Sequence, residues 1–175
     1  MASKVAIVTG SNRGIGNSIV KGLAKSFKGI VYLTARDEES GRKAVADLEK
    51  DYGFKVNFHQ LDIDNLDSIK KFAKFIKEKH EGIDLLVNNA AIAYKAASNA
   101  PFSEQAEVSV RVNYIGTLNV CDQFFPLLRP HARVVHVSSR AGMLKVVRDA
   151  GMREKLMSND LTIDEITNIL NTFVE

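Results

Sequence analysis

Five short runs of apolar, β-branched residues, separated by helix-length stretches, restrict the fold of this sequence more than any other feature. The runs are Val5 to Thr9, Ile30 to Thr34, Val56 to Leu61, Leu85 to Asn88 and Val134 to Ser138, and each predicts a strand. Between the first four runs, apolar residues recur at spacings of three and four, which predicts a helix in each gap. Strands too apolar to face water, alternating with helices, indicate a parallel sheet covered on both faces. The sequence therefore predicts a doubly wound α/β fold.

The alternation stops after the fifth run. Residues 146–175 contain two apparent helices with no strand between them. The second helix should begin at a capping box, in which Thr162 accepts from a first-turn amide and Glu165 reaches back to the cap. An apolar stripe at helical spacing follows, made of Ile166, Ile169, Leu170 and Phe173.

The composition excludes several classes of protein. Of the 175 residues, 45% are hydrophobic, which is enough for the core of one domain or of part of a larger one. The 24 basic and 21 acidic residues give a net charge of +3 spread along the chain. The lysines at 66–80 are read as a solvated helix face, because no aromatic residues interleave with them on that face. We therefore expect neither a nucleic-acid partner nor a membrane partner.

The numbers and spacings of cysteine and histidine bear on disulfides, cellular setting and metal binding. Cys121 is the single cysteine of the sequence, so it cannot form an intramolecular disulfide, and a cytoplasmic, reducing setting is expected. The four histidines show no paired spacing, and metal-binding sequences normally pair their ligands at short intervals. The sequence therefore predicts no metal site.

A glycine-rich turn stands where the first strand gives way to the first helix. Its glycines are Gly10, Gly14 and Gly16. A sharp turn, a closely approaching diphosphate and tight packing of helix on strand each require a missing side chain, and the helix start offers N–H groups to phosphates. A purely structural turn is the competing interpretation. We assign the following residues to a phosphate cradle: Gly10, Asn12, Arg13, Gly14, Ile15 and Gly16.

The choice between NAD and NADP should be made after the second strand, where an acidic residue would bind the ribose hydroxyls. Arg36 stands there and can pair with a 2′-phosphate, which Arg13 could reach from the glycine-rich turn. The alternative for each arginine is an ordinary surface charge, and the neighbouring Asp37 keeps an NAD preference open. The two cations favour NADP(H).

A set of motifs spread along the chain carries a family resemblance. It comprises Thr9 and Gly10 with Gly14 and Gly16, Leu61 to Asp64, Asn88 to Ala90, Asn113, and Val137 to Ser139. In this order they resemble the short-chain dehydrogenase/reductase family, and within it the cytosolic NADPH-dependent carbonyl reductases. The resemblance implies a Rossmann-like sheet, which here would be incomplete at its carboxyl-terminal edge, and a single dinucleotide-binding domain over 1–175.

The resemblance also assigns roles to residues beyond the glycine-rich turn. It implies that Asp62 and Ile63 meet the adenine, and that Asn89 and Ala90 line the nucleotide groove. The loop from Ile92 to Ala97, with Tyr94 and Lys95, would border the substrate. Residues 146–175 look like the helical insertion of the carbonyl-reductase branch, which implies a monomer.

Carbonyl reduction needs a hydrogen-bond donor at the substrate oxygen and a proton source. In the family, a serine positions the carbonyl, a tyrosine delivers the proton, a lysine four residues later holds the ribose, and a helical asparagine supports that lysine. Ser139 and Asn113 match the serine and the asparagine, and the competing interpretations are a strand-end hydroxyl and a capping amide. The tyrosine and lysine are absent, because all four tyrosines precede Ser139 and none is followed by lysine at the fourth position.

Two functions remain open from the sequence. The first is NADPH-dependent reduction of small carbonyl substrates, such as aldehydes, ketones or quinones, by a longer reductase of which this chain is a fragment. The chain as it stands would then be inactive or nearly so. The alternative is a truncated, non-catalytic NADP(H)-binding module with a sensing or interaction role.

Overall fold

The computed structural model describes residues 3–95 and 97–174. Within these residues a single parallel sheet has the order β3-β2-β1-β4-β5, and helices connect its strands, so the predicted doubly wound, Rossmann-like α/β fold is confirmed. The strands are β1 (Lys4–Val8), β2 (Gly29–Ala35), β3 (Asn57–Gln60), β4 (Ile83–Asn88) and β5 (Leu128–His136). The helices are α1 (Gly14–Ser26), α2 (Glu38–Tyr52), α3 (Leu66–His80), α4 (Phe102–Ser109), α5 (Thr117–Phe124), α6 (Ala150–Leu156) and α7 (Ile163–Val174).

The chain divides into two compact units. The first comprises Met1–Ile92 and Arg111–Val137 and contains the sheet, and the second comprises Ala93–Val110 and Ser138–Glu175. A π-helical segment, Val110–Gly116, lies between α4 and α5 along the chain. Segments of this type occur often at functional sites.

The core of the first unit forms because its central strand is apolar on both faces. From Val5 to Val8, every residue of β1 is fully buried. Alternate residues point to opposite sides of the sheet, and Ala6 and Val8 pack in one cluster with Val20 of α1 and Leu48 of α2. This double burial is what the continuous apolar run predicted.

Aromatic side chains of β2, β3 and α3 pack together in the first unit. Tyr32 meets Phe72 edge to face at a centroid distance of 5.7 Å, and the His59 ring stacks on Phe72 at 4.2 Å. His80, the last residue of α3, is 2.8 Å from the Tyr32 hydroxyl through Nε2. Burial, the larger influence on each, lowers the pKa of His59 and of His80.

The ends of α2 and α3 have ordinary capping chemistry. Asp37 accepts from the backbone N–H of Ser40 at 2.8 Å, and Asn65 accepts from that of Ser68 at 3.0 Å, as N-cap side chains do. Gly53 ends α2 in the left-handed region at φ 67°. The predicted span of α3, Leu66 to His80, is confirmed.

The fifth strand differs most from its prediction. It begins six residues before Val134 and ends at His136, so Ser138 lies outside it. The run-based prediction missed the first half because Pro130 and the left-handed His131, at φ 65°, interrupt the β-branched pattern. Both residues weaken a free strand edge as a template for another chain. Val135 remains 45% exposed, in contrast to the buried β1.

The second unit confirms the predicted capping box. Thr162 Oγ1 accepts from the N–H of Glu165 at 3.2 Å, and Glu165 Oε2 accepts from the N–H of Thr162 at 2.9 Å. Phe173 of α7 meets Phe102 of α4 edge to face at 6.0 Å. In the described part of this unit, α6 and α7 follow one another without an intervening strand.

Candidate functional site

The candidate site lies where the strand order of the sheet reverses. Chain order runs outward in one direction from β1 through β2 to β3, and in the other through β4 to β5. The carboxyl ends of β1 and β4 therefore diverge into connections on opposite faces, which leaves a crevice that ligands of open α/β sheets occupy. The glycine-rich turn follows β1 at this point.

Each glycine of the turn meets a different steric demand. Gly10 and Gly14 both have φ of +59°, in the left-handed region that favours glycine. A Cβ on Gly10 would lie 2.7 Å from Cα of Ala90, and one on Gly16 would lie 2.4 Å from Nδ2 of Asn89. On Gly14, an added Cβ would meet no described heavy atom within 4 Å. Gly10 and Gly16 thus permit close packing, whereas Gly14 faces open space.

Hydroxyl and amide side chains hold the turn in place. Ser11 is fully buried and donates from Oγ to the carbonyl of Val8 at 2.8 Å. Thr9 Oγ1 accepts from the N–H groups of Asn89 and Ala90, each at 2.9 Å. The Asn89 amide donates in return to the carbonyl oxygens of Thr9 and Gly10. No role for Ser11 was predicted from the sequence, although a hydroxyl beside a strand-end glycine was the available signal.

The start of α1 is open for a ligand. Arg13 is the N-cap with extended backbone, and among the described residues no side chain caps the helix and no acidic residue lies in its first turn. The first N–H groups of a helix need partners from outside it and carry partial positive charge. Ile15, in this first turn, is 66% exposed. The helix start therefore presents N–H groups and an apolar side chain together.

The end of β2 carries the residues weighed for cofactor selectivity. Arg36 is exposed, and its carbonyl accepts from the Gln60 amide at 2.9 Å. Asp37 is engaged as the N-cap of α2, and hydrogen bonds from Ser40, together with the Arg36 charge, hold the pKa of its carboxyl below the usual range. Asn12 donates to the Ser40 hydroxyl at 3.2 Å, which links the glycine-rich turn to the start of α2.

The loop after β3 brings Asp62 and Ile63 to the same edge of the sheet. Leu61 donates from its N–H to the carbonyl of Ala35 at 2.9 Å, so the ladder continues one residue beyond β3. Asp62 is half-buried and Ile63 is buried. Asp62 Oδ1 accepts from the N–H of Asp64 at 3.1 Å.

Asn113 lies in the π-helical segment and fastens a loop by its backbone. Its Oδ1 accepts from the N–H of Ile92 at 2.8 Å, and its Nδ2 donates to the carbonyl of Ile92 at 2.9 Å. The side chain thus acts as a bidentate clamp on the residue that follows the Asn88 to Ala91 stretch. The competing interpretation of Asn113 as a helix-capping amide shares with this geometry only a side-chain hydrogen bond to the backbone.

The other site residues predicted from the sequence, Ser139, Tyr94 and Lys95, belong to the second unit. Ser139 is exposed, and its Oγ accepts from the N–H of Ala141 at 3.1 Å at the start of a short 3₁₀ turn. The Tyr94 hydroxyl donates to Glu104 at 3.2 Å, and Lys95 is exposed. The loop predicted to border the substrate, Ile92 to Ala97, includes Ala96, which lies outside the described residues.

Comparison with known proteins identifies the family of this chain. A family model described as short chain dehydrogenase matches residues 4–171. The chain belongs to the short chain dehydrogenase family. Carbonyl reductase (NADPH) 1 of Bos taurus is 44% identical over 172 residues, which cover 98% of this chain and 62% of the bovine protein. This chain thus spans about three fifths of the length of that relative, whose name agrees with the predicted carbonyl-reductase branch.

Two solved structures share the fold of this chain. Salutaridine reductase from Papaver somniferum is 31% identical, with a TM-score of 0.87 over 98% of this chain and 69% of the other. The RhlG/NADP active-site complex of Pseudomonas aeruginosa is 30% identical, with a TM-score of 0.70 over 81% of this chain and 57% of the other. The Rossmann-like fold predicted from the sequence is therefore shared with these solved structures.

Three further features of this short-chain dehydrogenase concern metal sites, membrane spans and the cysteine. Across the described ranges, no three His, Cys, Asp or Glu side chains gather as a metal site would require. None of the helices described here has both the length and the apolarity to cross a membrane. Cys121 is buried beside the Asn88 amide, and burial raises the pKa of its thiol, as expected for a structural cysteine.

Proposed function

We propose that the carboxyl edge of the sheet binds NADP(H) for the reduction of carbonyl compounds to alcohols, a reaction for which this chain contains only part of the catalytic residues. One observation carries the proposal: two left-handed glycines, Gly10 and Gly14, lead into an uncapped helix start at the point where strand order reverses. Such an arrangement accepts a diphosphate. The bovine relative is named an NADPH carbonyl reductase, and the RhlG structure is a complex with NADP.

The residues of the turn fit a dinucleotide diphosphate. At Gly14 an added Cβ would project into space where no described atom lies within 4 Å, so the backbone there is accessible to a large anion. The α1 N–H groups, next to Gly14, would donate to the phosphate oxygens, and Ile15 would contact the ligand through its exposed side chain. Asn89 and Ala90 would line the groove, and Asp62 and Ile63 would meet the adenine.

The preference for NADP(H) over NAD(H) follows from which side chains are already engaged. Asp37 caps α2 through Oδ1, which accepts from the N–H of Ser40, so a ribose hydroxyl would have to share that carboxylate with the cap. Arg36 and Arg13 are exposed, and guanidinium groups bind phosphate through paired donors. The 2′-phosphate is therefore the ribose substituent that these residues favour.

The chemistry at the carbonyl would use Ser139 from this chain. NADPH supplies the hydride when it is bound. Because Ser139 Oγ accepts from the N–H of Ala141, its own hydroxyl proton is left to donate to the substrate oxygen, where negative charge develops. Asn113 would keep the Ile92 backbone in place, and Tyr94 and Lys95 would contact the substrate, which we take to be an aldehyde, ketone or quinone.

We further propose that this chain alone turns over slowly or not at all. It contains no tyrosine after Ser139, and a positioned general acid typically contributes ~10² to 10⁴ in rate. The sensing or interaction role considered as the alternative finds no support in the reductases and the RhlG complex named above. The chain is thus proposed to retain cofactor binding without efficient catalysis.

Cofactor titration tests the proposal. The full chain should bind NADPH more tightly than NADH when each is followed by nucleotide fluorescence. Arg13→Ala and Arg36→Ala should each weaken NADPH by about tenfold or more, the scale of a charged hydrogen bond, and leave NADH nearly unchanged. Arg148→Ala, which removes an exposed arginine of the second unit, is the matched control. Equal affinity for the two dinucleotides would refute the preference, and absence of binding would refute the function.

Three broader attributes are also proposed. A cytoplasmic location fits a single cysteine that is buried and unpaired among the described residues. Residues 146–175, which contain α6 and α7, are proposed as a helical insertion in the dinucleotide-binding domain, and the family resemblance then implies a monomer. Gel filtration at several protein concentrations measures the oligomeric state directly.

A further inference from the structure

Arg111 makes an ion pair whose location is informative. It lies in the π-helical segment, two residues before Asn113, and its guanidinium pairs with the Asp64 carboxylate. The two side chains are 48% and 29% exposed. An isolated pair this exposed contributes little to stability, so its position points to a role other than holding the fold together.

Asp64 in turn orients a neighbouring carboxylate. Its backbone N–H donates to Asp62 Oδ1 at 3.1 Å, and the N–H of Asp62 donates to the Ser68 hydroxyl at 3.0 Å. Asp62 is thus held at one carboxylate oxygen and at its own amide. Within the described part of the chain, Asp62 Oδ2 has no donor, and it is the oxygen that can accept from a ligand.

The π-helical segment touches the same loop at a second point. A Cβ on Gly116 would lie 2.7 Å from the carbonyl oxygen of Ile63, so the helix backbone packs directly against the loop there. The segment therefore fixes the loop from Asp62 to Asp64 through one ion pair and one close backbone approach. Moving either contact would move the Asp62 carboxylate.

We propose that Arg111 is a positioning residue for adenine recognition. By holding Asp64, it fixes the N–H that orients the Asp62 carboxylate, and Asp62 Oδ2 then accepts a hydrogen bond from the exocyclic amino group of adenine. The proposal rests on the NADP(H) binding proposed above. It predicts that Arg111 affects discrimination at the adenine amino group, although Arg111 itself contacts no nucleotide.

Replacement of that amino group by a carbonyl provides the test. The full chain is titrated with NADPH and with reduced nicotinamide hypoxanthine dinucleotide phosphate, which lacks the amino group. The wild type should prefer NADPH. Arg111→Gln should weaken NADPH by about tenfold, the lower range for a hydrogen bond to a charged group, while affinity for the hypoxanthine analogue stays the same. Asp62→Ala should produce the same selective loss.

Two further variants separate positioning from a general structural effect. Arg111→Lys keeps a cation opposite Asp64 and should retain most of the discrimination. Lys74→Gln removes one side of another exposed ion pair, with Glu78 of α3, and should bind both nucleotides as the wild type does. Thermal unfolding of each variant verifies that it is folded.

Each unfavourable outcome has a distinct meaning. If Arg111→Gln weakens both dinucleotides equally, or neither, the positioning role is wrong while NADPH binding by the wild type still supports the proposed function. If the folded wild type binds neither dinucleotide, the proposed function fails and this inference fails with it.

Discussion

Substitution by alanine at two glycines of α1 should change the free energy of unfolding in opposite directions. At Gly22 an added Cβ meets no described heavy atom within 4 Å, and alanine is favoured over glycine in a helix by ~1 kcal/mol, so Gly22→Ala should stabilise by about that amount. At Gly16 the same atom would lie 2.4 Å from Asn89 Nδ2, 2.7 Å from the Gly10 carbonyl oxygen and 2.8 Å from Ser11 Cα.

The cost at Gly16 can be worked from those neighbours. Two of them are backbone atoms of the turn, which cannot rotate away, and overpacking of this kind costs ~1–3 kcal/mol. Displacing the Asn89 amide also weakens its hydrogen bonds to Thr9 and Gly10, worth ~1 kcal/mol each. The helix-propensity gain of ~1 kcal/mol offsets part of this cost, so Gly16→Ala should destabilise by about 2–4 kcal/mol.

Urea unfolding followed by circular dichroism measures both changes in the free energy of unfolding. The midpoint should fall for Gly16→Ala and rise for Gly22→Ala, with unchanged slopes. NADPH affinity should fall only in the Gly16 variant. The packing argument is wrong if Gly16→Ala is as stable as the wild type, or if both substitutions shift the midpoint in one direction.

Four other predictions follow from contacts outside the turn. Thr162→Ala should destabilise α7 by about 1 kcal/mol through loss of the cap, seen as reduced helicity. Hydrogen bonds from Thr162 lower the pKa of Glu165. The stabilisation of α7 by this carboxylate is therefore present at neutral pH and lost as the pH falls through the folded-state pKa. Glu165→Gln should remove that dependence from helicity measured between pH 6 and 2, and an unchanged helicity profile would contradict the prediction. Burial lowers the pKa of His59, so the free energy of unfolding should decline as pH falls below ~6.5. In urea unfolding, His59→Asn should make the decline of the midpoint with falling pH shallower. An equally steep decline in the variant would show that His59 is not its source. Arg129→Met should lower the free energy of unfolding by about 3 kcal/mol, because the Asp84 carboxylate, 20% exposed and 2.8 Å away, loses its charge partner. Adding Asp84→Asn to this variant should restore part of the lost stability in thermal unfolding. If no stability is restored, the ion pair is not the cause of the loss.

Much of the fold could be predicted because it depends on local patterns. Fully apolar runs such as Val5 to Thr9 indicate strands buried on both faces, and strands separated by helical periods imply right-handed crossovers and a parallel sheet. Thr162 and Glu165 identified the start of α7 for the same reason, since a capping box is contained in four consecutive residues. The early start of β5 was missed because Pro130 and His131 break the local pattern that the prediction used.

The site was only partly predictable. Gly10, Gly14 and Gly16 stood out by their position between strand and helix. Which glycine meets Ala90, and which faces open space, depends on a second strand more than 70 residues away along the chain. Patterns among neighbouring residues therefore could not predict these contacts.

By itself the sequence determined the order of strands and helices, the glycine-rich turn and the motifs of the family, because each is written in neighbouring residues. Only the tertiary structure decided that Asp37 serves as a helix cap, that Asn113 clamps Ile92, and that Arg111 pairs with Asp64. The physical reason is that a polar side chain can take many partners, and the choice among them is made by the backbone atoms that folding brings within hydrogen-bond distance.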